Sequence, residues 1–167
     1  MAVKQTRLQR VFGVGPFGSV LSVGLLFAAV LLARATPGGW MPVSEDVRVV
    51  ALNVGAIGAF VLVWWSLRTL KPSKRGQILC TTGPFRFVRH PLYASFLSCF
   101  DFGFAIYLGH WAFVGWALAL HPVWHWVIRK EERVMEEQFG QAWRDYAART
   151  GRFFPRLWPF KSFPGAS

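Results

Sequence analysis

Four stretches of the chain are free, or nearly free, of charge, and the charged residues gather between them. The first runs from Val11 to Ala33. As a helix it is long enough to cross a hydrocarbon core of ~30 Å. The second, Val49 to Leu67, carries only Asn53 as a strongly polar residue and ends in Trp64 and Trp65, which suit a headgroup boundary. Between Arg89 and Arg129 the single formal charge is Asp101, and Gly109-His110 divides that stretch into Leu92–Leu108 and Trp111–Ile128, each just long enough to span. The pattern predicts an all-α integral membrane fold: one membrane domain over residues 1–167, with four transmembrane helices of which the last two form a tight hairpin. Lys4, Arg7 and Arg10 precede the first run as the basic start of a signal peptide would. The run is too long for the roughly 7–15 apolar residues of a cleaved signal, so it is expected to stay as an anchor.

The segments between the runs carry turn chemistry. Pro37, Gly38, Gly39 and Pro42 lie in the Arg34–Arg48 linker, and Pro72, Gly76, Gly83 and Pro84 interrupt the Arg68–Arg89 connector. The tail reads as helix from Arg129 to Gln138, a cap at Gly140, and helix again from Gln141 to Thr150, ending at Gly151. Beyond it Phe153, Phe154, Leu157, Trp158 and Phe160 alternate with Arg152, Arg156 and Lys161, a composition suited to the membrane interface.

Composition agrees with lipid: 53% of residues are hydrophobic, 17% aromatic and only 16% charged. The apolar share lies above that of soluble domains and the charged share below it. A net charge of +11 would suit nucleic acid if it formed a face on a soluble domain, but here the basic residues flank the apolar runs, and no nucleic-acid partner is expected. Of the 19 lysines and arginines, all but Arg34 and Arg48 fall in the N-terminus, the middle connector or the tail. The positive-inside rule then places both termini, the connector and the tail on the cytoplasmic side. The two cysteines, Cys80 and Cys99, are too few for a disulfide framework and read as free thiols.

A hairpin returns the chain to its starting side, so the end of the connector, with Arg89, His90 and Tyr93, is expected to lie near Glu131 and Glu132 at the start of the tail. Two carboxylates suit a cationic group such as an ammonium, while Arg86 and Arg89 suit a carboxylate or phosphate. A zwitterion satisfies both, and a sulfonium beside Tyr93 would gain a cation–π contribution of ~0.5–2 kcal/mol. The same charges also fit a solvated rim where a transmembrane helix meets water, and composition leaves both readings open.

The string Gly83-Pro84-Phe85-Arg86-Phe87-Val88-Arg89-His90-Pro91-Leu92-Tyr93, the apolar hairpin, Glu131-Glu132 and then Phe139-Gly140 together resemble the C-terminal core of the isoprenylcysteine carboxyl methyltransferase and phospholipid methyltransferase superfamily. The resemblance covers Thr82 to Pro155. It implies an S-adenosylmethionine-dependent methyltransferase whose cofactor-binding core is 82–155, with Arg89, His90, Tyr93, Glu131 and Glu132 building the cofactor pocket. It also implies a lipophilic or membrane-embedded acceptor reached from the bilayer. Ser95 stands where that family usually has glycine. Sterol and steroid reductases, which bind NADPH, have a similar Arg-His-Pro-x-Tyr loop and a tail similar to Gly140-x-x-Trp143-x-x-Tyr146, and they form the alternative; a non-catalytic membrane scaffold is a third reading.

Asp101 inside the third span needs a partner, since an unpaired carboxylate there costs ~2.5–3.5 kcal/mol or more. Antiparallel register places it within about one turn of His121, so an Asp101–His121 hydrogen bond is expected. Pro122 is expected to bend the fourth span. His125, one turn beyond His121, comes level with Ala94 beside Tyr93 and is the candidate base, with Arg89 as the second catalytic candidate. His121, His125 and Glu132 share a helical stripe but lack the spacing of a metal site, and no metal is expected.

Overall fold

The computed structural model describes residues 15–156. Among these it forms helices α1 (Gly15–Ala35), α2 (Glu45–Thr69), α3 (Pro91–Leu108), α4 (Trp111–Val127), α5 (Arg129–Phe139) and α6 (Gln141–Arg149), with short 3₁₀ turns at Pro72–Lys74 and Gly83–Arg86. No strands occur among the described residues, only two isolated bridges. Three helices, α1, α2 and α3, are at least 18 residues long and apolar enough to cross a membrane, while α4 has 17 residues. The exposed surface of the long helices is itself apolar: Val20 and Phe60 are each 71% exposed. Such faces are stable against lipid and not against water. The expected interfacial segment at Leu157, Trp158, Phe160 and Lys161, and the basic residues Lys4, Arg7 and Arg10, lie outside the described residues.

The ends of the helices follow local chemistry. Ser44 caps α2 by accepting from the Val47 N–H, and Glu45 and Asp46 in the first turn oppose the helix dipole, so α2 begins four residues earlier than its apolar run and takes Arg48 out of the linker. Pro91 opens α3 at the position where its missing N–H costs nothing. Within α3, Ser95–Phe100 forms a π-helical turn in which the Asp101 N–H reaches back to the Phe96 carbonyl. Gly109, with φ of 71°, ends α3 in the left-handed conformation. Glycine adopts that conformation without steric cost. The His110 ring caps α4, Nδ1 accepting from the Ala112 N–H at 3.1 Å. The hairpin thus turns at Gly109-His110 as expected.

Packing reorders the sequence. The interior runs α2, α3, α4, α1: α2 lies along α3, α3 against α4, and α1 principally along α4 and not along the α2 that follows it. Small residues allow the α2–α3 approach. A Cβ on Gly103 would lie 2.5 Å from the Ala51 carbonyl oxygen, and one on Gly55 would lie 2.7 Å from that of Cys99. Indoles close the α1–α4 contact by burying their rings and finding acceptors for their N–H groups. Trp116 Nε1 donates to the Ser22 carbonyl at 3.1 Å and Trp124 Nε1 to Ser22 Oγ at 3.0 Å, with Gly18 leaving room for the Trp124 ring.

One expected contact is not made. Asp101 makes no hydrogen bond to His121; the His121 ring nitrogens are buried, and the ring lies against Phe102, Phe153 and Phe154. Matching depth in the membrane does not set which face of a helix is turned inward. Phe102 faces His121. Its neighbour Asp101 is about 100° further round α3.

Candidate active site

The connector and the tail meet at one end of the bundle through backbone pairing. The Arg89 N–H donates to the Gly151 carbonyl at 2.8 Å and the His90 N–H to the Arg152 carbonyl at 3.1 Å, so the residues just before α3 run beside the residues just after α6. Tyr146 fixes the same junction: its buried hydroxyl donates to the Phe85 carbonyl at 2.6 Å, and burial pushes its pKa up. Gly140, with φ of 54°, makes the turn that folds α6 back on α5. A side chain would strain that backbone conformation, which glycine tolerates.

This junction brings Arg89, His90, Tyr93, Glu131 and Glu132 together, as the sequence predicts, and splits the two glutamates between different partners. Glu132 is the hub. Its Oε1 accepts from Arg89 Nε at 3.0 Å and lies 3.2 Å from His90 Nε2, while Oε2 accepts from Arg152 Nε at 3.0 Å and Nη2 at 2.7 Å. The Glu132, Arg89 and His90 side chains are only 10–12% exposed. Burial alone would raise the Glu132 carboxyl. Hydrogen bonds from His90 and Arg152 and the positive charge of Arg89 outweigh it and hold the pKa at about 2. Arg89 also donates through Nη1 to the carbonyls of Ala147 at 2.8 Å and Thr150, which binds the connector to the end of α6.

Glu131 instead accepts from the Tyr93 hydroxyl at 3.2 Å. The Tyr93 ring packs against Trp124 with centroids 4.8 Å apart and near His90 at 5.9 Å, and Gly15 at the start of α1 approaches its hydroxyl. Phe153, buried, extends this aromatic wall: its ring centroid is 6.3 Å from that of His90 and 4.8 Å from that of His125, the latter edge-on. His125 Nδ1 lies 2.8 Å from the His121 carbonyl. That carbonyl can only accept, so Nδ1 carries the proton and Nε2 is the nitrogen left to act as acceptor in the neutral ring. Arg86 lies apart, its guanidinium over the Phe87 ring at 5.2 Å.

Arg152, Phe153 and Trp124 were not foreseen as site residues. Arg152-Phe153-Phe154-Pro155 is visible in the sequence as a tail string, but nothing in it says that Arg152 supplies the second oxygen of Glu132 with its counter-ion. Only the chain reversal at Gly140 and the pairing of Gly151 with Val88 do so.

The fold and this junction define the class: a polytopic helical membrane protein whose charged, aromatic-walled site is built where a hairpin returns to a tail. A sequence model of the phospholipid methyltransferase family matches residues 55–142, from within α2 to the start of α6. The chain is also 34% identical over 119 residues to the nickel-cobalt-cadmium resistance protein NccN of Alcaligenes xylosoxydans xylosoxydans, an alignment covering 66% of this chain and 53% of that protein. The chain spans about half the length of this curated relative. It belongs to the phospholipid methyltransferase family, within the superfamily of integral membrane methyltransferases that includes the isoprenylcysteine carboxyl methyltransferases.

Proposed function

We propose that the protein transfers the sulfonium methyl group of S-adenosylmethionine to a nucleophile on a lipophilic acceptor, at the junction of α3, α5 and the tail within the 82–155 core. The observation that carries this reading is the convergence of Arg89, His90 and Tyr93 on Glu131 and Glu132 in a member of a membrane methyltransferase family. The residues fit a cationic, zwitterionic cofactor. Trp124, Tyr93, His90 and Phe153 form a chain of successive ring contacts beside the two glutamates, and a sulfonium lying against it would be stabilised by cation–π attraction. Glu131 is the carboxylate beside those rings and would receive the ammonium. Glu132 already accepts from Arg89 and Arg152 and meets the His90 ring, so its task is to hold Arg89, His90 and Arg152 in place.

When bound, the cofactor supplies an activated methyl group, and the protein supplies position and charge. The carbon–sulfur bond breaks as the acceptor's bond to carbon forms, and the cofactor leaves with its sulfur uncharged. An acceptor carboxylate, as in isoprenylcysteine carboxyl methylation, is anionic at neutral pH and needs no base; an amine or thiol would give its proton to His125 Nε2. The acceptor enters from the bilayer and the cofactor from the cytoplasm, the side that the basic residues of the connector and tail assign to this junction. The name of NccN refers to metals; among the described residues no group of three histidine, cysteine or acidic side chains is placed to hold an ion.

Calorimetry on the protein in nanodiscs tests the reading. S-adenosylmethionine and its demethylated product should bind and NADPH should not. Glu131→Gln removes a charge-assisted bond of ~1.5–3 kcal/mol and should weaken cofactor affinity roughly 10- to 150-fold, with Glu137→Gln, further along α5, unchanged. Saturable NADPH binding with no response to S-adenosylmethionine would move the protein to the reductase branch; equal affinities in the two variants would leave Glu131 without a role in binding.

A further inference from the structure

Ser98 Oγ on α3 and both ring nitrogens of His121 on α4 are buried and make no hydrogen bond among the described residues. Native folds rarely leave such atoms unmatched, because each has given up water and gained nothing. The two side chains border one seam. Phe102, one turn after Ser98, lies against the His121 ring with centroids 5.8 Å apart. Ser98 also sits within the π-helical turn Ser95–Phe100, a departure from regular helix that recurs at functional positions.

The methyl-transfer reading does not use these atoms, although they adjoin its site. His121 is one turn from His125 on α4, about 6 Å along the helix axis. Both rings contact Phe153, with centroids at 6.3 Å for His121 and 4.8 Å for His125. One face of the His121 ring is covered by Phe154, stacked on it at 5.1 Å and itself 54% exposed. A ring so exposed gives up little packing by turning aside, and that movement opens the seam without displacing a helix.

The chemistry of the seam restricts what can fill it. A neutral imidazole offers one donor and one acceptor, and a serine hydroxyl offers either. Phe102, Phe153 and Phe154 surround His121, and Asp101 makes no hydrogen bond to it, so a charged group would enter without a counter-ion. We propose that Ser98 and His121 form a specificity site for the methyl acceptor, binding an uncharged group that both donates and accepts hydrogen bonds, such as an amide, about 6 Å from the nucleophile that is methylated. The inference rests on the methyl-transfer reading for the reacting end of the acceptor only.

The test is calorimetry on the full chain in nanodiscs with three amphiphiles: N-decanoyl-β-alanine, whose amide stands at roughly that distance from its carboxylate, its N-methyl analogue, which has lost the amide donor, and tetradecanoate, of the same chain length without the amide. Wild type should bind N-decanoyl-β-alanine about fivefold or more tighter than tetradecanoate, with the N-methyl analogue between them. Ser98→Ala and His121→Phe should each reduce that preference while leaving tetradecanoate affinity and S-adenosylmethionine affinity unchanged. Neither substitution removes a hydrogen bond of the folded protein, so thermal stability should hold or rise. Ser98→Ala alone serves if His121→Phe is not monodisperse. Equal affinities for the amide and tetradecanoate in wild type, as ordered water alone in the seam would give, binding of neither, or a preference that survives both substitutions would overturn the proposal. So would a loss of S-adenosylmethionine affinity in either variant, which would assign the residues to the cofactor. An amide preference that both substitutions abolish supports the site even if S-adenosylmethionine fails to bind wild type, a result that counts against the methyl-transfer reading alone.

Discussion

The two ends of the α3–α4 hairpin are closed in opposite ways. At the tip, closure is neutral: His110, 2% exposed, aligns Nε2 with the Thr36 carbonyl at 2.9 Å and caps α4 with Nδ1, while Trp111 N–H reaches Gly39 and Met41 N–H reaches Gly109. At the base, closure is ionic: two guanidinium groups and the His90 imidazole converge on one partly buried carboxylate. Backbone groups and a neutral imidazole satisfy one another at little electrostatic cost and leave nothing to react. Charges held away from water are expensive to assemble, and that cost is why the proposed chemistry is assigned to this end and not to the tip.

The sharpest way to break this contrast is Glu132→Gln. Removing the hub leaves the partly buried Arg89 and Arg152 without their counter-charge, a change whose upper limit is the about 3–5 kcal/mol lost by fully buried pairs. Thermal unfolding in detergent should show that loss together with loss of activity. Acid should do the same reversibly. The Glu132 pKa lies below its ordinary value of 4.5, so its contribution is complete above that value and disappears as pH falls toward about 2. An acid transition in that window that is missing in Glu132→Gln identifies the carboxylate; an unchanged transition would show that another group titrates.

Gly103→Val probes the apolar middle between the two ends. The added carbons meet the α2 backbone at Ala51, which cannot yield as a side chain would. The expected cost is about 1–3 kcal/mol, read from thermal unfolding in detergent. His110→Phe keeps a ring at the tip and removes its two hydrogen bonds, for about 1–2 kcal/mol, with cofactor affinity at the far end unchanged. A loss of affinity would mean that the two ends are coupled through the hairpin.

The smallest perturbation asks which end faces the cytoplasm. Single cysteines at Gly39, on the tip side, and at Ser73, on the connector side, in a background lacking Cys80 and Cys99, should leave stability unchanged. An impermeant reagent outside intact cells should label position 39 and spare position 73; the reverse result would invert the topology.

The apolar runs, read alone, determine the helices, the turn at Gly109-His110 and the meeting of the connector with the tail. Each follows from length, charge placement and the hairpin's return, quantities that neighbouring residues settle among themselves. The meeting of the Arg-His-Pro-x-Tyr and Glu-Glu strings at one candidate site is equally legible. The division of labour between Glu131 and Glu132 is not, because consecutive residues on a helix point about 100° apart. Only the packed tail shows which of them meets Arg152 and which meets Tyr93. The failed Asp101–His121 pairing has the same cause: depth along a helix is written in the sequence, whereas the face it turns inward is chosen by what packs against it. The pairing of α1 with α4 likewise depends on Gly18, Ser22 and two indoles far along the chain, a match that exists only once the helices are side by side.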